Sequence, residues 1–176
     1  RNLLNALDCN NEGWRDIKTS DTTYAERLQS MPSVIRMPYN SMVRACIDRY
    51  VTRSRTTVSY LLGMAEFYMP IIEEEIDKQG IPKELRYLPI IESALKPKAY
   101  SKMGAAGLWQ FIYSTGRTYG LYVNSLVDDR YDVIKCSEAA AKHLKDLYNM
   151  FGDWSLAIAA YNCGEGRMSD CMALAS

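Results

Sequence analysis

The chain is poor in the residues that do metal, nucleophilic or redox chemistry. There is one histidine, His143, and there are five cysteines, Cys9, Cys46, Cys136, Cys163 and Cys171. A zinc site needs three or four clustered ligands, and His143 sits among Lys142 and Lys145 in a helical pattern, so it reads as part of a solvated helix face. The cysteines form no close pair of the zinc-ribbon or redox kind and read as buried or incidental thiols, with one disulfide left open in an oxidising compartment. A serine or cysteine triad would depend on His143 as its base, and no nucleophile elbow is present. Gly104, Gly107, Gly116 and Gly120 have neither the spacing of a phosphate-cradling loop nor a strand before them. No metal and no cofactor is expected, which leaves the carboxylates.

Glu92 differs from the other acidic residues in its surroundings. It follows the apolar run Leu88-Pro89-Ile90-Ile91, so it should lie at the end of a buried helix. Burial disfavours the ionised form, raises the pKa and suits the group to act as a general acid at neutral pH. A glutamate in an ordinary capping or ion-pair contact satisfies the same pattern. The stretch after it favours chemistry: Ser93 to Val127 contains no Asp or Glu, while Lys96, Lys98, Lys102 and Arg117 lie within it. A two-carboxylate glycosidase would therefore need its second acid from elsewhere in the chain. A lone acid suffices if the substrate supplies its own nucleophile. The cations suit a polymer that bears carboxylates, and they also serve simply to keep a surface soluble.

The elements that must position Glu92 are helices. Of 176 residues, 48% are hydrophobic and 24% charged, with Lys plus Arg and Asp plus Glu both 21, which fits one globular core and removes the simplest electrostatic case for nucleic acid. No apolar run is long enough to span a bilayer. Residues 1–22 read as a polar lead-in. Asn40 and Ser41 cap a helix with Val43, Ile47, Tyr50 and Val51 on one face. Val58 to Met69 is a second helix, and Pro70 opens a short acidic one that Gly80 stops. Pro82 starts the helix of Leu85, Leu88, Ile91 and Glu92, which Pro89 should kink or split. A loop or short hairpin spans Lys96 to Ala106. Further helices are predicted from Gly107 to Tyr119, from Glu138 to Met150 with Ser137 as cap, and from Trp154 to Asn162, capped by Asp153 and closed by Gly164 and Gly166. The fold class is all-α, with at most a small β element near Lys98 to Gly104.

Three segments carry a resemblance. Glu84-Leu85-Arg86-Tyr87-Leu88-Pro89-Ile90-Ile91-Glu92-Ser93 resembles the catalytic segment of the membrane-bound lytic murein transglycosylase D family. Gly104-Ala105-Ala106-Gly107-Leu108-Trp109-Gln110 resembles its second motif, and Ala160-Tyr161-Asn162 with Gly164-Glu165-Gly166 its third. The similarity runs from about Tyr24 to Met168. It implies a goose-type, lysozyme-like helical domain over residues 23–168 and a non-matching tail over 169–176. It also implies a peptidoglycan lytic transglycosylase of the bacterial cell envelope. In that family the single acid, here Glu92, protonates the bond between N-acetylmuramic acid and N-acetylglucosamine. It then takes the proton of the muramyl C6 hydroxyl, leaving a 1,6-anhydromuramyl end. The resemblance places Ser101 at the N-acetyl region and Gln110, Tyr161 and Asn162 along the groove; each has a plainer role open to it, in backbone satisfaction or core packing. Leu108 and Trp109 read as core.

The partner implied is the peptidoglycan glycan strand. The first residue is Arg1, and the family name implies a periplasmic protein tied to the outer membrane through an N-terminal lipid anchor removed from this sequence. Two departures stand out: Ile112-Tyr113 where the family has Met-Pro, and the tail from Ser169. A water-using muramidase of the same fold and a weakly active peptidoglycan-binding domain are the alternatives. Glu165, beside the third motif, is the acid best placed to fold back toward Glu92 and is expected to face the rim instead.

Overall fold

Helices carry the regular secondary structure. The computed structural model describes residues 19–175; most of the expected lead-in, and Cys9, lie outside them. Among the described residues there are eight α-helices joined by short 3₁₀ and π turns. In place of a sheet there are isolated bridges that pair Tyr100 with Ala106, Ala106 with Phe111 and Val123 with Asp128. The all-α reading holds, and the first two bridges are the small β element that follows the Glu92 helix.

The chain divides into two compact units. The described part of the first comprises residues 19–31 and 37–55. Helix α1 (Asp21–Ser30) is capped by Ser20, and α2 (Ser41–Asp48) by Asn40, whose side chain accepts from the Val43 N–H at 3.0 Å. Arg44 ties them together, pairing with Asp21 and Asp48 at 2.8 Å each. The expected apolar face of α2 survives at Val43 and Ile47 but is lost at Tyr50 and Val51, which are exposed. A π-helical turn over Arg49–Arg53 is the cause: its wider spacing rotates the later residues out of phase.

The second unit holds residues 32–36 and 56–175. Helix α3 (Arg55–Gln79) runs unbroken through Pro70, where two helices were expected. Pro70 is exposed, so the carbonyl it leaves unpaired meets water, while Leu61, Met69, Ile72 and Ile76 anchor both halves of the helix in the core. Pro89 does split its segment. A 3₁₀ turn (Lys83–Tyr87), preceded rather than begun by Pro82, gives way to α4 (Leu88–Ser93) with Pro89 in its first turn. Contrary to the expected face, Ile91 points outward.

The expected helix from Gly107 is shorter. Residues 107–111 form a tight loop, and α5 covers only Tyr113–Thr118. Positive φ at Gly107 (80°) and Gln110 (51°) excludes a helix there. Helix α6 (Val133–Phe151) begins earlier than expected, at an Asp132 cap, because Ser137 faces inward and accepts a hydrogen bond from the Trp109 indole at 2.9 Å. Ala139, Ala140 and Ala141 keep α6 slim where it meets the core. Asp153 caps α7 (Trp154–Cys163), and Gly164, at φ 91°, ends it. Gly166 is no stop: α8 (Glu165–Ala175) starts at once and includes residues 169–175 of the tail. No helix among the described residues is long and apolar enough to cross a membrane.

Candidate active site

Glu92 lies near the end of α4, a helix held by buried Leu88 and Pro89 and finished by two residues in an uncommon conformation. Ala94 and Leu95 have φ of 53° and 57°. Leu95 is fully buried, and Ser93 donates its hydroxyl back to the Pro89 carbonyl at 3.1 Å. Core burial of Leu95 holds the reversed backbone in place. Among the described residues the positive-φ residues other than glycine are Ala94, Leu95 and Gln110. Two of them follow Glu92 closely and the third is itself a candidate site residue. Local strain of this sort costs on the order of 1–3 kcal/mol per residue and clusters where geometry is functionally constrained.

Glu92 is half-buried. Burial raises its pKa above the ordinary carboxylate range, opposed by a hydrogen bond from the Asn162 side chain, which favours the ionised form. Among the described residues no carboxylate contributes to the shift. Glu165 is exposed in the first turn of α8, and its charge acts on Tyr119. Beside Asn162 on α7, Tyr161 donates its hydroxyl to the Trp109 carbonyl at 2.8 Å. Burial, then the nearby charge of Glu92, pushes the phenol well above its ordinary pKa, so it stays protonated. The structure thus brings Glu92, Tyr161 and Asn162 together.

Gln110 and Ser101 belong to the loop after α4, and both build it. The Gln110 amide donates to the Gly107 carbonyl at 2.9 Å, leaving its carbonyl oxygen to face other partners. Ser101 accepts from the Ala105 N–H at 3.0 Å through its hydroxyl oxygen and keeps its own O–H to donate. Trp109 and Leu108 are buried, as expected. In the place of the family's Met-Pro, Ile112 precedes α5 in extended conformation and Tyr113 begins it, accepting from Arg117 at 3.2 Å.

His143 corrects the sequence reading. Instead of facing solvent it is half-buried, its ring 4.7 Å from Tyr119, 5.1 Å from Tyr161 and 6.2 Å from Phe111, centroid to centroid. Its Nδ1 is buried with no hydrogen-bond partner among the described residues, and burial lowers its pKa to about 4 against a smaller opposing effect of Asp146. Helix phase carried the signal, since His143 lies four residues after buried Ala139. Because the unfolded chain protonates near pH 6.5 and the folded one only near pH 4, stability drains away as pH falls through that window. His143→Phe should flatten this acid-side loss in melts between pH 7 and 4; a variant with the wild-type pH dependence would return His143 to a solvated role.

Cys46, Cys163 and Cys171 are exposed, unpaired thiols, and burial pushes that of Cys136 up to about 12. Among the described residues no three His, Cys, Asp or Glu side chains gather as a metal site.

The geometry can be set beside known proteins. The family model for the transglycosylase SLT domain matches residues 69–175. The membrane-bound lytic murein transglycosylase D of Escherichia coli is 39% identical over 158 residues, which cover 88% of this chain and 35% of that protein. The peptidoglycan transglycosylase gp16 of Escherichia phage T7 is 37% identical over 106 residues, 58% of this chain and 8% of that one. The chain therefore spans about a third of the Escherichia coli relative. Among solved structures, an inactive Glu-to-Gln mutant of the lytic transglycosylase Slt from Pseudomonas aeruginosa superposes with a TM-score of 0.50. It is 26% identical, over 58% of this chain and 17% of that one.

Proposed function

The chain belongs to the transglycosylase SLT domain family, and on that footing we propose that it cleaves peptidoglycan glycan strands through Glu92 as the sole catalytic acid and base. The observation that carries this reading is a half-buried carboxylate with a raised pKa, hydrogen-bonded by Asn162 and with no second carboxylate among the described residues acting on it. An acid that enters the reaction protonated can donate to the leaving glycosidic oxygen. Once ionised, it is stabilised by Asn162 and is placed to take a proton back. Without a second carboxylate to act as nucleophile, the muramyl C6 hydroxyl attacks the anomeric carbon. Its oxygen bonds to that carbon, its proton passes to Glu92, and a 1,6-anhydromuramyl end results with no water consumed. The substrate's N-acetyl group assists, as in other substrate-assisted glycosidases.

Asn162 meets Glu92, and Tyr161 beside it is tied to the Trp109 carbonyl at 2.8 Å, next to Gln110. On this reading Ser101, with its spare O–H, and Gln110, with its spare carbonyl, offer a donor and an acceptor to the sugar amides. The names of the relatives support murein as substrate and the cell envelope as location, with attachment to the outer membrane a further expectation. Clearing of a suspension of purified sacculi tests the reading. Undiminished turbidity at micromolar protein would sink it.

The Asn162 contact gives a sharper test. Its hydrogen bond stabilises the Glu92 carboxylate, so removing it should raise the Glu92 pKa further. The protonated form is the reactive one, and activity is lost as pH rises through that pKa. In Asn162→Ala the alkaline limb of the kcat/KM profile should therefore move to higher pH, whatever happens to its height. A limb that stays put or moves down would deny Glu92 the role of acid.

A further inference from the structure

The loop that carries Ser101 and Gln110 holds only isolated bridges, yet its second half is fixed at Gly104 and Phe111 by one side chain that the proposed chemistry does not use. Arg130 is buried, with 6% of its surface exposed. Its Nη1 donates to the Gly104 carbonyl at 2.9 Å and to the Phe111 carbonyl at 3.1 Å. Its Nη2 and Nε face the Asp128 carboxylate at 2.7 and 3.0 Å, a two-pronged pair that holds the guanidinium plane. The Arg130 main chain is engaged as well. Its carbonyl oxygen lies so near the Gly107 Cα that a Cβ there would stand 1.8 Å away. One residue thus meets the second half of the loop at Gly104, Gly107 and Phe111.

We propose that Arg130 is a positioning residue for substrate binding, clamping the Gly104 and Phe111 carbonyls so that Ser101 and Gln110 are presented to the glycan strand in a preset arrangement. The proposal rests on the peptidoglycan reading. A planar guanidinium spans two carbonyls and a carboxylate at once, which an ammonium cannot. A loop freed from the clamp must be ordered by the ligand, and the cost appears in affinity.

The test uses the Glu92→Gln protein, in which strands bind without being cut, and compares it with Glu92→Gln/Arg130→Lys. Lysine keeps the charge opposite Asp128, so the fold has its best chance of surviving. Both proteins are studied well below their melting temperatures. Calorimetric titration with glycan strands freed of their stem peptides should show Kd raised about tenfold in the lysine variant. Amide exchange of Ala106 and Phe111, which bond each other across the loop at 3.0 and 3.1 Å, should quicken, while that of buried Leu144 on α6 stays unchanged. A Kd within twofold of the parent overturns the proposal, whatever the melting temperature does. So does loss of protection spread equally to Leu144, which would make Arg130 a general stabiliser. If the parent itself binds no strand, the peptidoglycan reading fails first and takes the clamp's purpose with it.

Discussion

Glu92→Gln is expected to leave the protein folded and to lower turnover of peptidoglycan by at least about 10²–10⁴-fold, the range that general acid–base transfer supplies. The amide matches the protonated carboxyl in shape and can still meet Asn162, but it can neither give up a proton to the glycosidic oxygen nor recover one from the C6 hydroxyl. Stability should move the other way. Burial raises the folded-state pKa of Glu92, so the wild-type protein is most stable with this group protonated, and that contribution is lost as pH rises through the folded pKa. Glutamine removes the cost of a half-buried charge. The variant should melt at or above the wild-type temperature at neutral pH, and the difference should close as pH falls below the ordinary carboxylate range. Turnover surviving in the variant would remove Glu92 from the mechanism. Turnover lost along with a lower melting temperature at neutral pH would mean that the residue is structural.

Gly107→Ala should be the most damaging small substitution in the second unit. At φ 80° an alanine carries left-handed strain, of the order of 1–2 kcal/mol. Its Cβ would also stand 1.8 Å from the Arg130 carbonyl oxygen and 2.8 Å from the carbonyl carbon. Both are backbone atoms, which cannot swing aside as a side chain does, and forced overpacking of this kind costs about 1–3 kcal/mol more. Together the two predict a loss of about 2–5 kcal/mol and a fall in Tm of roughly 10 °C in a chain of this size. Gly120→Ala is the control. Its φ of 84° carries the same strain, but nothing lies within 4 Å of the added Cβ, so it should cost only the strain. Equal losses at the two positions would mean that the close approach to Arg130 contributes nothing.

What the sequence disclosed depended on how local the determining physics was. Asn40 and Asp153 cap their helices as their residue types suggest, and Gly120 and Gly164 take positive φ where helices end. Glu92 was legible because an apolar run before a carboxylate already implies burial, and the three motifs placed Tyr161 and Asn162 beside it. The two prolines show where local rules stop. Pro89 divides its segment, while Pro70 lies on the outer side of a long helix whose inner side stays anchored in the core. The largely apolar stretch Leu108 to Ile112 resembled a helix because periodicity cannot register the positive φ of Gly107 and Gln110. Ser137 looked like a cap and is instead the partner of an indole 28 residues away. Arg130 could not have been singled out at all. Its role exists only through carbonyls at positions 104 and 111, brought to it by the fold.

The product ends test the central claim most directly. Purified sacculi digested with the wild-type protein, separated and weighed by mass spectrometry, should yield muropeptides ending in 1,6-anhydromuramic acid. Each would be lighter by one water than its hydrolytic counterpart, and none should appear with Glu92→Gln. Muropeptides with reducing muramic acid ends would contradict the account. They would mean that water, not the C6 hydroxyl, attacks the anomeric carbon.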